Sequence, residues 1–270
     1  MSADKMLTKE RKYGGMQELI YIFVGKNKDT DGECAKALIE VWESCGGAVT
    51  DDVSKADVIA ALGGDGTILR ASHLAVKHDV PVIGINLGRV GYMAELDRSE
   101  IPLISRYFTH EFKEETRMML KVVTEGRTYY ALNDAVFHAK SKHMAQYTLT
   151  CNGSIVNEYR GDGIILATPT GSTAYSMSAG GSVIDPRLSC IGVTPICPQS
   201  LTARPLVFAP DSKLTVRAES AECVLTVDGR EPHPLKEGSE VKVCRSIKKL
   251  RMLRLKCDGF YDVLRNKISN

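Results

Sequence analysis

Up to about residue 113, short unbroken apolar runs alternate with runs of helical spacing. Leu19 to Val24 (LIYIFV), Asp57 to Leu62 (DVIAAL) and Val80 to Asn86 (VPVIGIN) read as buried strands. Between the first two, Ala35, Leu38, Ile39 and Trp42 recur at helical spacing, and Gly46-Gly47 ends that helix. Ile68, Leu69, Ala71, Leu74 and Ala75 mark a second helix. Continuous apolar strands separated by helices predict a parallel sheet covered on both faces.

After about Glu114 the pattern changes. RMMLKVVTEGRTYYALNDAVFHA reads as strand, Glu-Gly turn, strand. AQYTLTCNGSIVNEYRGDGIILATP continues in that manner, with Asn152-Gly153 as a hairpin turn. KLTVRAESAECVLTVDGREPHPLKEGSEVKVCRS does so again, with turns at Asp228-Gly229 and Glu237-Gly238. The last stretch, KKLRMLRLKCDGFYDVLRNKISN, predicts a strand and a short helix that return to the first half. The expected architecture is an α/β N-terminal domain, with a parallel sheet and helices on both faces, plus a β-rich C-terminal domain. The expected boundaries are a polar leader at 1–16, the α/β domain at 17–113 with a returning tail at 249–270, and the β-rich domain at 114–248.

Composition narrows the function classes. The chain has 270 residues, 43% hydrophobic and 25% charged, which suits a soluble globular protein with ample core. A net charge of +2 implies no strong polyelectrolyte partner, so nucleic acid is not expected. The basic stretch KKLRMLRLK reads as a strand with one solvated face rather than a nucleic-acid patch. No apolar stretch approaches the roughly 18 to 20 residues of a membrane span, and the N-terminus lacks a signal core. The eight cysteines are scattered without zinc-like spacing, which suits reduced thiols in a cytoplasmic protein.

Chemistry concentrates in two glycine-rich segments. In VIAALGGDGTILRAS, Asp65 sits among Gly63, Gly64 and Gly66, between a buried strand and a helix. That arrangement presents backbone N–H groups and a helix N-terminus to a phosphate, with the glycines supplying unusual backbone angles. The other reading is an Asp-Gly turn with Thr67 capping the helix. It is neither a P-loop nor GxGxxG. A carboxylate beside phosphate donors has a purpose if an alcohol must lose its proton during phosphoryl transfer, and Asp65 can be that base or can hold the alcohol in line. The second segment, RGDGIILATPTGSTAYSMSAGG, crowds Thr170, Ser172, Thr173, Ser176 and Ser178 around the expected start of a helix near Ser172 or Thr173. It suits polar ligand groups or a plain hydroxyl-rich turn. Asn133-Asp134 in LNDAVFHA and the YRGDG stretch also read as turns.

Taken together, these segments resemble the NAD kinase family. The resemblance rests on GGDGT (63–67) followed by Arg70, INLGRVGYMAEL (85–96), LNDAVFHA (132–139), GDGIILATPTGSTAYSMSAGG (161–181) and ARPLVF (203–208). GGDGT alone also resembles loops of diacylglycerol and sphingosine kinases and of phosphofructokinases; the long fourth motif following Asn-Asp separates them. The resemblance implies an active site at the junction of the two domains and transfer of the terminal phosphoryl group of ATP to the adenosine ribose 2′-hydroxyl of NAD. It implies Asp65 as base or orienting group, with Gly63, Gly64, Gly66, Thr67 and Arg70 near phosphates. Arg70 can equally form an ion pair on its helix. Asn133 and Asp134 would hold NAD through adenine and ribose; many relatives carry Glu at the second position, one methylene longer. Thr173, Ala174, Tyr175 and Ser178 would line the dinucleotide site, and Arg160 and Asp162 would lie near the nicotinamide end. His143 and Arg230 fall where some relatives contact NAD, against surface and hairpin-turn readings. His73, His78, His110 and His233 form no constellation in the sequence, and His138 reads as a strand residue. No metal cage is read from the residues. Mg²⁺ would arrive with ATP, held largely by phosphates and water. The resemblance further implies a homodimer or homotetramer. The alternatives are a lipid kinase sharing the GGDGT loop and a catalytically silent NAD(P)-binding regulator, whose mark would be loss of the loop aspartate.

Overall fold

The structure, a computed structural model, describes residues 17–88, 91–140, 143–219, 223–256 and 260–268. The expected polar leader lies outside them. Three strands of the first half, Leu19–Val24, Val58–Leu62 and Val82–Asn86, pair in parallel with Val58–Leu62 in the middle. Their unbroken apolar character has the predicted cause. Val58, Ala60 and Leu62 pack on one side, with Cys34, Leu38 and Trp42 of the helix Glu33–Ser44. Ile59 and Ala61 pack on the other, with Ile68, Ala71 and Ala75 of the helix Asp65–His78. Gly46, at φ 91°, follows the first helix where Gly46-Gly47 was expected to end it. A 3₁₀ helix, Arg98–Tyr107, joins the first face, and Trp42 packs its ring on Tyr107 and Phe108 at 5.1 and 4.7 Å between centroids.

In the second half the long strands Lys113–Thr124 and Glu240–Arg254 run antiparallel along most of their length. Near its end, the second of these meets Val82 in parallel through Met252. One eleven-stranded sheet therefore runs through both halves, and the strand that joins them crosses residue 249. A separate six-stranded sheet is antiparallel throughout, in the order Leu206–Phe208, Ile191–Ile196, Gly163–Ala167, Asp134–Ala139, Cys223–Val227, His233–Leu235. Phe137, Ile164, Leu166, Val193 and Leu225 of this sheet bury against Leu120, Val122, Tyr147, Leu149, Val216 and Val243 of the large one. Ile165 and Ala167 face outward and are covered with Ala179. The turns at Glu125-Gly126, Asn152-Gly153 and Asp228-Gly229 all take positive φ at both residues, the backbone that tight hairpins require.

The C-terminal stretch packs on the first half. Glu95 accepts from the backbone N–H of Leu255 and Lys256, both at 2.7 Å, and Arg106 donates to Leu255 O at 2.8 Å. The helix Phe260–Ile268 then sets Phe260 6.2 Å from the ring of Tyr92.

Candidate active site

The parallel strands end at one edge, and in open α/β sheets ligands bind beyond the carboxyl ends of strands. Here the strand Val58–Leu62 delivers the glycine loop. Gly63 sits at φ 152°, and a Cβ there would come within 2.3 Å of the buried Thr67 hydroxyl. Gly64 and Gly66 differ from expectation: neither needs a positive φ, and a Cβ on either would meet no protein atom within 4 Å. The space over them is open to a ligand. Thr67 does not cap the helix; Gly64 is the capping residue, without a side-chain bond, and Thr67 is packed inward as the third helical residue.

Asp65 begins the helix, half-buried, and its carboxylate is held from across the cleft. Oδ2 accepts the N–H of Tyr92 at 2.8 Å and Oδ1 that of Met93 at 3.0 Å. Gly91 permits this approach, since a Cβ there would stand 2.1 Å from Oδ1. Two donors fix the orientation and leave a lone pair on each oxygen free. Burial, and then the charge of Asp65, raise the pKa of the Tyr92 hydroxyl.

The Asn133-Asp134 segment is set by the aspartate of the Asp228-Gly229 hairpin turn. Asp228 accepts the N–H groups of Leu132 (2.8 Å), Asn133 (2.8 Å) and Asp134 (3.1 Å). His73, on the helix that begins at Asp65, brings Nε2 to 3.1 Å from Asp228 Oδ2, within ion-pair distance, though it makes no hydrogen bond there. From the other side Thr168 donates its hydroxyl to Leu132 O at 2.5 Å, and its N–H meets Asn133 O at 2.9 Å. The segment is thus fixed while Asn133 Oδ1 stays buried without a hydrogen-bond partner. Asp134 is 5% exposed, and burial first, then the charge of Asp228, push its pKa up to about 7.

These pieces border two clefts. One, of about 450 Å³, is lined by Asp65, Tyr92, Met93, Asn133, Thr170, Thr173, Ala174 and Met177. It brings Asp65 together with both halves of the expected dinucleotide site. The other, of about 460 Å³, lies over Gly64, Gly66 and Thr67, with Lys26, Lys28 and Arg70 among its walls. The remaining expected residues line neither. Tyr175 stacks on His138, an actual strand residue, at 5.9 Å. Asp162 is exposed nearby, its backbone oxygen accepting the N–H of Ala139. Arg160, Ser178 and His143 are exposed. Arg230 is exposed in the hairpin turn, its N–H on Val227 O at 3.1 Å. Ser172 and Ser176 are buried, bonded to Pro169 O and Thr194 respectively. The expected helix is a 3₁₀ turn, Gly171–Thr173, followed by the short helix Tyr175–Ser178.

Against families of known proteins, residues 21–112 match the ATP-NAD kinase N-terminal domain and residues 132–255 the ATP-NAD kinase C-terminal domain. An NAD kinase of Carboxydothermus hydrogenoformans is 34% identical over 98% of this chain and 93% of its own. The chain belongs to the NAD kinase family. An NAD kinase of Caldicellulosiruptor saccharolyticus is 40% identical over 80% of this chain and 84% of its own. Among solved structures, yeast NADH kinase complexed with NADH superposes with a TM-score of 0.83 at 25% identity, over 95% of this chain and 89% of that one. The NAD kinase from Archaeoglobus fulgidus in complex with ATP gives 0.77 at 27% identity, over 94% and 99%. The resemblance drawn from the five motifs holds, and so does the fold class.

Sequence reasoning missed several wall residues, Asp228 among them. Lys26 and Lys28 follow the first strand directly, so their place at the carboxyl edge of a parallel sheet was an available signal. Tyr92 and Met93 lie within a quoted motif, but nothing in the sequence showed that their amides hold Asp65. Asp228 looked like any Asp-Gly turn.

Proposed function

We propose that this NAD kinase transfers the γ-phosphoryl group of ATP to the adenosine ribose 2′-hydroxyl of NAD across the cleft that Asp65 borders. The observation that carries the reading is the position of Asp65. It faces the cleft shared with Asn133, Thr173 and Ala174, and the glycine loop that leads into its helix floors the basic cleft. The dinucleotide takes the first cleft. Asn133 Oδ1 is the acceptor for an adenine amino group or a ribose hydroxyl, and a small Ala174 admits a flat ring. The triphosphate takes the second, against the backbone of Gly64 and Gly66, the N-terminus of the fourteen-residue helix, Lys26, Lys28 and Arg70. Phosphoryl transfer asks for donors around the phosphate and an acceptor for the alcohol proton. The cations and amides supply the first. The free lone pairs of Asp65 supply the second, and its two backbone anchors keep the carboxylate from turning away. ATP and NADH as ligands of two structural relatives fit this pairing.

Among the described residues no three His, Cys, Asp or Glu side chains converge on a possible metal position. A Mg²⁺ ion would enter on the triphosphate, held largely by phosphates and water. When bound, the ion supplies charge neutralisation between the phosphoryl groups. The deciding assay is purified protein with NAD, ATP and Mg²⁺, reading NADP with a specific dehydrogenase. A lipid kinase would phosphorylate lipid instead, and a silent regulator would give neither product.

Two coarser points complete the reading. Among the described residues no helix is long and apolar enough to cross a membrane. The scattered cysteines, without zinc-like spacing, suit a protein of the reducing cytoplasm. It is a homodimer or homotetramer. The strand Ser154–Gly161 forms one edge of the large sheet, with Ile155 68% exposed, and pairing or covering such an edge is a common role of symmetric contacts. Arg160 and Asp162, at the end of that strand, border the nicotinamide side. Light scattering at micromolar protein should give a multiple of 29.6 kDa; the single-chain mass would reject the assembly.

A further inference from the structure

We propose that Arg117 is a positioning residue for the reaction: through Thr170 it sets the dinucleotide-facing segment 170–177 on the same ion-pair network that anchors the backbone clamp of Asp65. This rests on the assignment of the first cleft to NAD. Arg117 and Glu115 lie on one face of the strand Lys113–Thr124, two residues apart, beside the paired strand that carries Arg254. From the catalytic end, Met93 donates its N–H to Asp65 Oδ1, and Met93 O accepts from Arg254 Nη1 at 3.3 Å. Arg254 is pinned by Glu95 at 3.0 Å and by Glu115 Oε2 at 2.6 Å. Glu115 Oε1 meets Arg117 Nη2 at 3.0 Å. Arg117 Nη1 then donates to Thr170 Oγ1 at 3.4 Å, and Thr170 O accepts the Thr173 hydroxyl at 3.2 Å. Both ends of this path, Met93 and Thr170, line the cleft with Asp65.

The network is expensive as mere filling. Arg117 is 3% exposed, and its Nε is buried without a hydrogen-bond partner. Burial, and then the like charge of Arg254, pull its pKa down to about 10, which leaves it charged at neutral pH. An apolar residue is the cheaper occupant of such a position when no other task is set. The neighbouring Met118 and Met119 are apolar and buried in the ordinary way. A forked guanidinium is the side chain that can hold a carboxylate with one arm and a hydroxyl with another.

The test uses the full chain in the NADP assay. Arg117→Lys keeps the charge toward Glu115 but has no second arm for Thr170. It should raise the KM for NAD about five- to tenfold and leave the KM for ATP within about twofold, as displaced positioning groups do. Thr170→Val should raise the NAD KM as well, and the double variant should be no worse than the more damaged single, because one path is cut twice. Thermal melts show that each variant is folded. Unchanged NAD KM in the folded variants, equal changes in both KM values, or additive effects in the double variant would overturn the inference. If Arg117→Lys does not fold, Thr170→Val alone decides: an unchanged NAD KM sinks the idea. Failure of the wild-type chain to make NADP would instead reject the reaction, so the two outcomes stay distinct.

Discussion

Asp65 and Asp134 are the same side chain in similar sequence surroundings, each placed beside a small polar or glycine turn and an apolar run. The fold treats them differently through its allotment of backbone donors. Asp65 receives two amides from the segment at Tyr92 and Met93 and keeps part of its surface in the cleft. Near Asp134 the amides are taken by another carboxylate: Asp228 accepts three of them, including that of Asp134 itself. Asp134 is left buried beside a like charge, with its pKa raised to about 7. The comparison teaches that an aspartate in a motif becomes a reactive group, a structural pin or a half-protonated neighbour according to which N–H groups the backbone can spare.

The sharpest way to break the comparison is Asp65→Asn. The amide keeps the size and one acceptor oxygen but cannot take a proton. Turnover should fall about 10² to 10⁴-fold, the usual range for loss of a general base, while NAD affinity by calorimetry stays close to wild type. Near-normal turnover would remove Asp65 from the chemistry.

A smaller loss tests the clamp rather than the carboxylate. Gly91→Ala places a methyl 2.1 Å from Asp65 Oδ1. Either the carboxylate or the segment carrying the two amides must shift. Turnover should drop about 10- to 100-fold from misplacement of an intact group, with both KM values less affected. A variant as active as the parent would show that the clamp is incidental.

How much of this was legible follows from what each residue needs. The parallel strands, their two helices and the hairpin turns were readable because each depends on its own few residues. VIAAL is apolar without a break because helices cover both faces, and Asn152-Gly153 takes positive φ at both positions because a two-residue hairpin asks for it. The glycine loop was readable as a phosphate cradle, though its reasons were mixed: Gly63 is required by Thr67, whereas Gly64 and Gly66 only leave room. The 3₁₀ helix at Arg98–Tyr107 was not read, since Pro102 interrupts the helical pattern and its stability comes from Trp42 and the Asp97–Glu100 capping box. Asp228 and Arg117 were illegible for a deeper reason. The amides that Asp228 accepts are 94 to 96 residues away, and the Thr170 that Arg117 reaches is 53 away, so no local pattern carries these contacts.

The finest effect follows the burial of Asp134. Burial and the charge of Asp228 push the pKa of Asp134 up to about 7, from the ordinary aspartate value of 3.8. Between those values the native state holds a proton that the unfolded chain has released. Stability therefore falls as pH rises through this window and levels off above it; the contribution is complete only below the unfolded value. Asp134→Asn removes the titration while keeping the shape. In the absence of nucleotide its melting midpoint, taken relative to wild type at the same pH, should climb from pH 4 to pH 8 by on the order of a few °C. Contributions of carboxylates remote from Asp134 are common to both chains and cancel in the difference. A difference that stays flat across the window would mean that Asp134 is not displaced by burial and Asp228, and the contrast with Asp65 would then rest on geometry alone.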